Sequence, residues 1–347
     1  MRAVFASRLG GDSPLDNLTI GDRPEPEPGP GEVRVRVHAA TLNRHDYFTL
    51  QGIVGYPFEP PRILGCDAAG VVDRYGPDRP PGSPDPGAPV AVYPVTFCGK
   101  CPRCGAGDPM LCDRFTLLSD GDREGSFGDY LVVPAQCVLP KPETLSFAET
   151  AALGTTYLTA YRMLFVKAAL MPGQSVLVQG AGGGLATAAI ALAREAGLTV
   201  FVSSRSAERL EAAQRIGAQH GVLAGRDAAK TILKLSGGGV DAVIESVGEP
   251  TWATSLRVLR QGGVIVVSGA TAGANPPADL ARVFWRQLQI KGSTMGTLQE
   301  FRDLLRFVTP RGIKPLIDHI YPAEKAREAF VRLAAGDVFG KLVLSFE

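Results

Sequence analysis

The stretch Ser175–Gly197, SVLVQGAGGGLATAAIALAREAG, decides how the chain is read. Ser175–Gln179 is a short apolar run of β type, Gly180–Gly184 is a glycine-rich turn, and Leu185–Ala196 is alanine-rich and helical. That order predicts a buried parallel strand, a tight turn and a helix start. Backbone N–H groups and the positive end of the helix then point at a phosphate. Gly180 permits the turn, Gly183 lets a pyrophosphate approach, Gly184 and Leu185 beside it are further cofactor-binding candidates, and Ala186 fills a third small position against the sheet. The spacing G-x-x-G-x-x-A is a relaxed dinucleotide fingerprint. A purely structural glycine turn has the same spacing, so its surroundings must decide.

Thr199–Ser203 (TVFVS) reads as the next strand and closes a βαβ unit. An NAD-binding protein usually ends this strand with Asp or Glu on the adenosine ribose. Here the end is Ser203-Ser204-Arg205, and the nearest acids, Glu208 and Glu211, fall later in a helix. Two hydroxyls and a guanidinium suit a 2′-phosphate, which makes NADPH the expected cofactor. The plainer reading is a helix capped by Ser206 beside a solvated Arg205.

Outward from this unit, βα pairs repeat. Helix Ala207–Ile216 precedes strand His220–Leu223, helix Ala228–Leu235 precedes Asp241–Glu245, and helix Trp252–Leu259 precedes Gly263–Ser268. The alternation predicts a doubly wound parallel sheet. Ala278–Gln289 reads as a helix and Ile290–Gly292 as a further strand. The tail adds helices near Leu298–Val308 and Ala323–Ala334 and a strand at Lys341–Phe346. Ahead of Ser146 the texture differs. Val33–Ala40 alternates apolar and polar, Asn43–Gln51 suits a short helix, and Ile63–Tyr75 reads as a strand pair. Ala91–Pro94 and Gly128–Val133 are strand-like, so this part is a barrel-like β domain. Ser146 and Glu149 have the spacing of a capping box. The expected division is 1–145 with 290–347 as one domain and 146–289 as the other.

With 347 residues, two domains are expected. A net charge of +1 gives no field to attract nucleic acid or a membrane surface. No run approaches the about 20 apolar residues of a membrane span, and the N-terminal segment has no secretory core, so a cytoplasmic protein with reduced thiols is expected. Four of the six cysteines form Cys98-x2-Cys101-x2-Cys104-x7-Cys112. Four thiolates so spaced can close a tetrahedron on Zn²⁺ with no open position, which is a structural site, one ion per subunit. A ferredoxin cluster would have its fourth cysteine three residues on and followed by proline, whereas Asp113 follows here. Cys66 and Cys137 read as buried, inert thiols.

The chain resembles the medium-chain dehydrogenase/reductase superfamily, in the group spanning zinc-binding alcohol dehydrogenases and quinone oxidoreductases. The resemblance covers essentially the whole chain and rests on GPGEVRVRVHAATLNRHD, LGCDAAGVV, the cysteine loop, LTAY at Leu158–Tyr161, the glycine turn and GKLVL at Gly340–Leu344. It implies an α/β protein with a GroES-like β-barrel catalytic domain, a Rossmann domain, an active cleft between them, and a homodimer or homotetramer joined through the Rossmann sheets. The family's alcohol dehydrogenases also hold a catalytic zinc. Their ligand positions fall here on Asn43, Cys66 and Thr155, with Asp67 in place of a neighbouring Glu. Asn and Thr bind zinc weakly, so the set is a poor zinc site; the alternative set is His45, Cys66 and Asp67, which could form an irregular one.

The resemblance assigns Asn43 and Asp46 to orienting cofactor and substrate, and His45 to proton delivery. Tyr56 is a candidate donor to a substrate oxygen, or a packing aromatic. Thr155, Thr159 and Met295 are expected near the nicotinamide. Val247 and Ser268-Gly269-Ala270 follow Rossmann strands, where cofactors lie. Phe284, Trp285 and Arg286 are assigned to an interface or the core. The function expected is NADPH-dependent reduction of a small quinone or α,β-unsaturated carbonyl by hydride transfer. The alternatives are a zinc-dependent alcohol or aldehyde dehydrogenase with an irregular metal site, and a non-catalytic NADPH-binding redox sensor.

Overall fold

The structure is a computed structural model that describes residues 1–53 and 57–346. It divides into two units, Met1–Thr155 with Thr297–Glu347, and Thr156–Gly296. The boundaries lie later than 145/146 and 289/290. At the first, helix Phe147–Ala151 packs Ala148 and Ala151 against Ala39, Ala69 and Val343, so it belongs to the β unit. Its N-cap is as expected, with Ser146 Oγ accepting from Glu149 N at 3.2 Å and Glu149 returning the contact to Ser146 N at 2.7 Å.

In the first unit a mixed sheet has the order Val138–Pro140, Pro89–Val92, Asp67–Tyr75, Glu32–Thr41, Lys341–Ser345 and Ile317–Pro322, with Tyr130–Pro134 also pairing with Glu32–Thr41. Alternation holds in part: Val33, Val35 and Val37 are buried and Arg36 is exposed, but Arg34 is also buried, paired with Asp73 and lying over the Tyr130 ring. The expected strand pair at Ile63–Tyr75 is instead one strand, Asp67–Tyr75, and a two-residue strand, Arg62–Ile63, in another sheet. Two backbones approach closely at Gly70, where an added Cβ would sit 2.0 Å from Arg36 O. The C-terminal strand Lys341–Ser345 inserts beside Glu32–Thr41, antiparallel, with Leu344 opposite Ala40.

The second unit holds a parallel sheet of six strands among the described residues, ordered His220–Leu223, Thr199–Ser204, Ser175–Gln179, Val240–Glu245, Leu259–Val267 and Gln289–Gly292. This is the doubly wound order, with its switch point between Ser175–Gln179 and Val240–Glu245. Leu177, Phe201, Val243 and Ile265 fill the core between sheet and helices. Two elements differ from the sequence reading. The helix expected over Ala278–Gln289 is confined to Leu280–Trp285, because Asp279 and Gln287 take φ of 43° and 52°, outside helical geometry. The segments Leu153–Tyr157 and Arg162–Lys167 are π-helical, a form that periodicity at 3.6 residues does not reveal. Phe284 and Trp285 are 69% and 79% exposed, so neither is core. No helix among the described residues is long and apolar enough to cross a membrane.

Candidate active site and metal centre

The cysteine loop brings its four sulfurs within 4.8 Å of one another, the one group among the described residues arranged to hold an ion. Tetrahedral Zn–S bonds of about 2.3 Å place sulfurs about 3.8 Å apart. Here Cys98 and Cys104 are 3.9 Å apart and Cys101 and Cys104 are 3.5 Å apart. Backbone N–H groups of Lys100 and Cys101 draw the Cys98 thiol down to about 6. Burial and the neighbouring Cys101 and Cys112 sulfurs push Cys104 up to about 12. Four thiols this close ionise together only around a cation, and the donor set fits Zn²⁺.

A second cluster in the same unit is built on helix Arg44–Leu50 and the start of strand Asp67–Tyr75. Asn43 caps the helix, and its own N–H donates to Asp46 Oδ2 at 2.7 Å. The other Asp46 oxygen accepts from Gly65 N at 3.1 Å, where Gly65 has φ +90° and no room for a side chain. Asp46 is fully buried, and burial pushes its carboxyl up to about 6 against the pull of His45 and the Asn43 N–H. Both oxygens are therefore spent on backbone, which makes Asp46 a positioning residue rather than a contact for substrate or cofactor.

Asp67 is likewise fully buried and fully engaged. Its Oδ1 accepts from Thr155 N and Thr155 Oγ1, both at 2.7 Å, and its Oδ2 accepts from Asn43 Nδ2 at 2.8 Å and Thr41 Oγ1 at 2.9 Å. The π-helical turn at Leu153–Tyr157 brings Thr155 here, and Gly154 leaves the space: a Cβ on it would meet Asp67 Oδ1 at 2.3 Å. Lys341, from the C-terminal strand, is 3% exposed and ends in the same cluster. Its Nζ donates to Asn43 Oδ1 at 2.6 Å and Leu42 O at 2.8 Å, and lies 3.5 Å from Asp67 Oδ2. Sequence reading used Lys341 only as part of a motif. The available signal was a lone lysine opening an apolar terminal strand.

Cys66 sits 3.3 Å from Thr155 Oγ1 and 3.5 Å from Asn43 Nδ2. Burial and the charges of Asp67 and Asp46 raise its thiol well above the ordinary value. One thiol with an amide and a hydroxyl, beside a carboxylate already engaged by four hydrogen-bond donors and the Lys341 ammonium, does not fit a catalytic zinc. His45, 21% exposed, lies beside the cluster with Nε2 3.2 Å from Oδ1 of Asp120. Asp120 follows Ser119, a non-glycine residue at φ 74°. Tyr56 lies outside the described residues.

In the second unit, Gly180 takes φ +86° immediately after its strand, and Gly183 caps helix Gly184–Glu195 with open space where a Cβ would be. Leu185 lies in the first turn of that helix and Ala186 is buried. Ser203 differs from its expected role. Its hydroxyl is buried and donates inward to Gln179 Oε1, so Ser203 ties two strand ends together instead of facing a phosphate. Gln179 Nε2 donates onward to Ser255 Oγ at 2.9 Å, and Ser255 Oγ to Glu245 Oε2 at 2.7 Å. Glu245 also accepts from Val247 N at 2.8 Å and Gly248 N at 3.1 Å, shaping the turn after its strand. Ser204 Oγ accepts from Ser206 N at 3.2 Å, which leaves its O–H free to donate. Arg205 is exposed and makes no hydrogen bond or ion pair among the described residues. The Ser268–Ala270 turn is anchored by Ser268 N to Glu245 O at 3.0 Å. Thr159 donates to the sulfur of Met295 at 3.8 Å, and Met295 is held at φ 47°.

The comparisons agree with this geometry. Residues 29–143 match the alcohol dehydrogenase GroES-like domain and residues 184–309 the zinc-binding dehydrogenase domain. A zinc-type alcohol dehydrogenase-like protein of Schizosaccharomyces pombe is 31% identical over 331 residues, covering 89% of each chain. The chain is a medium-chain dehydrogenase/reductase. Another superfamily relative, a quinone oxidoreductase of Mus musculus, is 30% identical over 89% of this chain and 87% of its own. The crystal structure of an NAD-dependent alcohol dehydrogenase superposes with a TM-score of 0.93 at 38% identity, covering all of both chains. As a member of this superfamily the protein is an oxidoreductase with a GroES-like and a Rossmann-like domain.

Proposed function

We propose that this medium-chain dehydrogenase/reductase is an NADPH-dependent reductase of quinones or α,β-unsaturated carbonyls that works without a catalytic zinc. The observation that carries the reading is the Asn43–Cys66–Asp67–Thr155–Lys341 cluster. The positions that would hold a Lewis acid are occupied by groups that satisfy one another, with a buried ammonium already supplying the positive charge. Alcohol oxidation needs that Lewis acid to stabilise an alkoxide. Reduction of a conjugated carbonyl needs less, because the incoming charge spreads to an oxygen that protein donors or water can stabilise. The mouse relative named as a quinone oxidoreductase supports this class.

The nicotinamide cofactor, when bound, supplies the hydride. The chain's own residues then hold its pyrophosphate at Gly180, Gly183 and Gly184 and its 2′-phosphate at Ser204 and Arg205, and place it against Val247, Ser268, Gly269, Ala270, Thr159 and Met295. His45 delivers the proton. The cysteine loop holds one structural zinc. The subunits pair through the sheet edge at Gln289–Gly292, where Ile290 is 45% exposed and the preceding helix shows Leu280 at 71% and Trp285 at 79%. A panel of quinones, enones, aldehydes and alcohols, each assayed with NADPH or NADP⁺, tests the reading. Turnover of quinones or enones is the expected result. Turnover confined to alcohols and aldehydes, or NADPH binding with no turnover at all, would overturn it.

A further inference from the structure

Asp120 was not singled out by the sequence, and nothing in the cluster around Asp67 accounts for it. It is 2% exposed, and its Oδ1 makes no well-aligned hydrogen bond among the described residues. The group it faces is His45, whose Nε2 is 3.2 Å away, also buried and also without another partner. A buried carboxylate oxygen left without a donor is costly, and the group that faces this one is a histidine ring nitrogen. Backbone strain points the same way, since Ser119 is held at φ 74° to present the next side chain.

We propose that Asp120 is a positioning residue that fixes the His45 ring and keeps its proton available, so that Asp120 and His45 act as a proton-delivery pair in the reduction proposed above. The proposal rests on that reading for its chemistry, though not for the pairing itself. In the reduction the substrate carbon gains the hydride and its π pair moves to oxygen. A His45 N–H bond breaks, the proton forms the new O–H bond, the electron pair stays on the ring, and solvent reprotonates it. Nε2 is turned to Asp120, so Nδ1 is the nitrogen that serves the substrate.

The charges around His45 favour this. Burial opposes charge on the ring, but Asp120, with Asp46 on its own helix and Asp67 on the adjacent strand, outweighs it and raises the pKa. The nearby cations are engaged elsewhere. Lys341 is on Asn43 and Asp67, Arg62 donates to Gly121 O at 2.8 Å, and Arg123 pairs with Glu32 at 2.7 Å. From the two helices packed against Arg44–Leu50, Arg327 and Asp16 pair with each other at 2.8 Å.

The test is an NMR titration of the four histidines in the full chain with zinc bound and no nucleotide, with His45 assigned through H45Q. The expected His45 pKa in the native protein lies above the ordinary value of about 6.5. In D120N it falls by about one unit or more. A native value at or below the ordinary one overturns the pairing, even if D120N fails to fold, and so does an equal value in both proteins. The second readout is kcat/KM against pH with NADPH and a quinone. The rate falls as pH rises through the His45 pKa; this limb moves to lower pH in D120N and vanishes in H45Q. A limb unmoved in D120N overturns the positioning role. If the titration behaves as expected and no quinone or enone is reduced, the pairing stands and the reading of function fails.

Discussion

Two sulfur-containing clusters in the same unit have opposite needs. The cysteine loop places four thiols within 4.8 Å with no cation of their own, so it is incomplete without an ion. The cluster at Asn43, Cys66 and Thr155 includes a cation, Lys341, and a carboxylate, Asp67, that accepts four hydrogen bonds. Placement of a cysteine at a ligand position therefore does not make a metal site. What decides is whether the surrounding groups leave the donor atoms unsatisfied. The same contrast separates Ser203, whose hydroxyl is spent on Gln179, from Arg205, which is exposed and makes no hydrogen bond or ion pair among the described residues.

The largest effect is expected where the need is greatest. C104S should abolish zinc binding and destabilise the protein severely, because structural Zn²⁺ contributes on the order of 10 kcal/mol to folding; metal analysis and thermal unfolding check this. A C104S protein that melts like the native one would erase the contrast. Next, K341M should cost about 3–5 kcal/mol in denaturant unfolding, since it leaves the buried Asp67 charge without its counter-ion, while leaving the zinc content unchanged. Any gain of a second metal in K341M would show that the ammonium had been displacing one. R205A should weaken NADPH binding roughly 10- to 100-fold by calorimetry, from the loss of a charge-assisted contact, and leave NADH nearly unaffected. Equal losses for the two nucleotides would remove the 2′-phosphate assignment. The smallest effect is C66S, expected at about 1 kcal/mol with unchanged zinc, because a hydroxyl can take over the contacts to Thr155 Oγ1 and Asn43 Nδ2.

Much of the architecture is legible in local pattern. The strand–turn–helix at Ser175–Glu195, the alternation in Glu32–Thr41 and the cysteine spacing each belong to one short segment whose periodicity or spacing states its structure. The buried cluster is legible only in part. Asn43, Cys66 and Thr155 could be placed by motif, but Lys341 reaches Asn43 across 298 residues of chain, and Asp120 reaches His45 from a loop with no periodicity. Neither contact leaves a local trace. Ser203 shows the other failure: a serine at a strand end looks the same whether its hydroxyl faces out or in, and the deciding partner, Gln179, sits on a neighbouring strand. The shortened helix at Leu280–Trp285 failed for a backbone reason, since Asp279 and Gln287 adopt left-handed geometry that composition does not announce.

The central claim is that one cluster needs an ion and the other already contains its charge. Zinc per subunit in the purified native protein, counted by mass spectrometry of the metal, tests it directly. One zinc atom is expected, lost in C104S and retained in C66S. Two atoms per subunit, one of them lost in C66S, would contradict it.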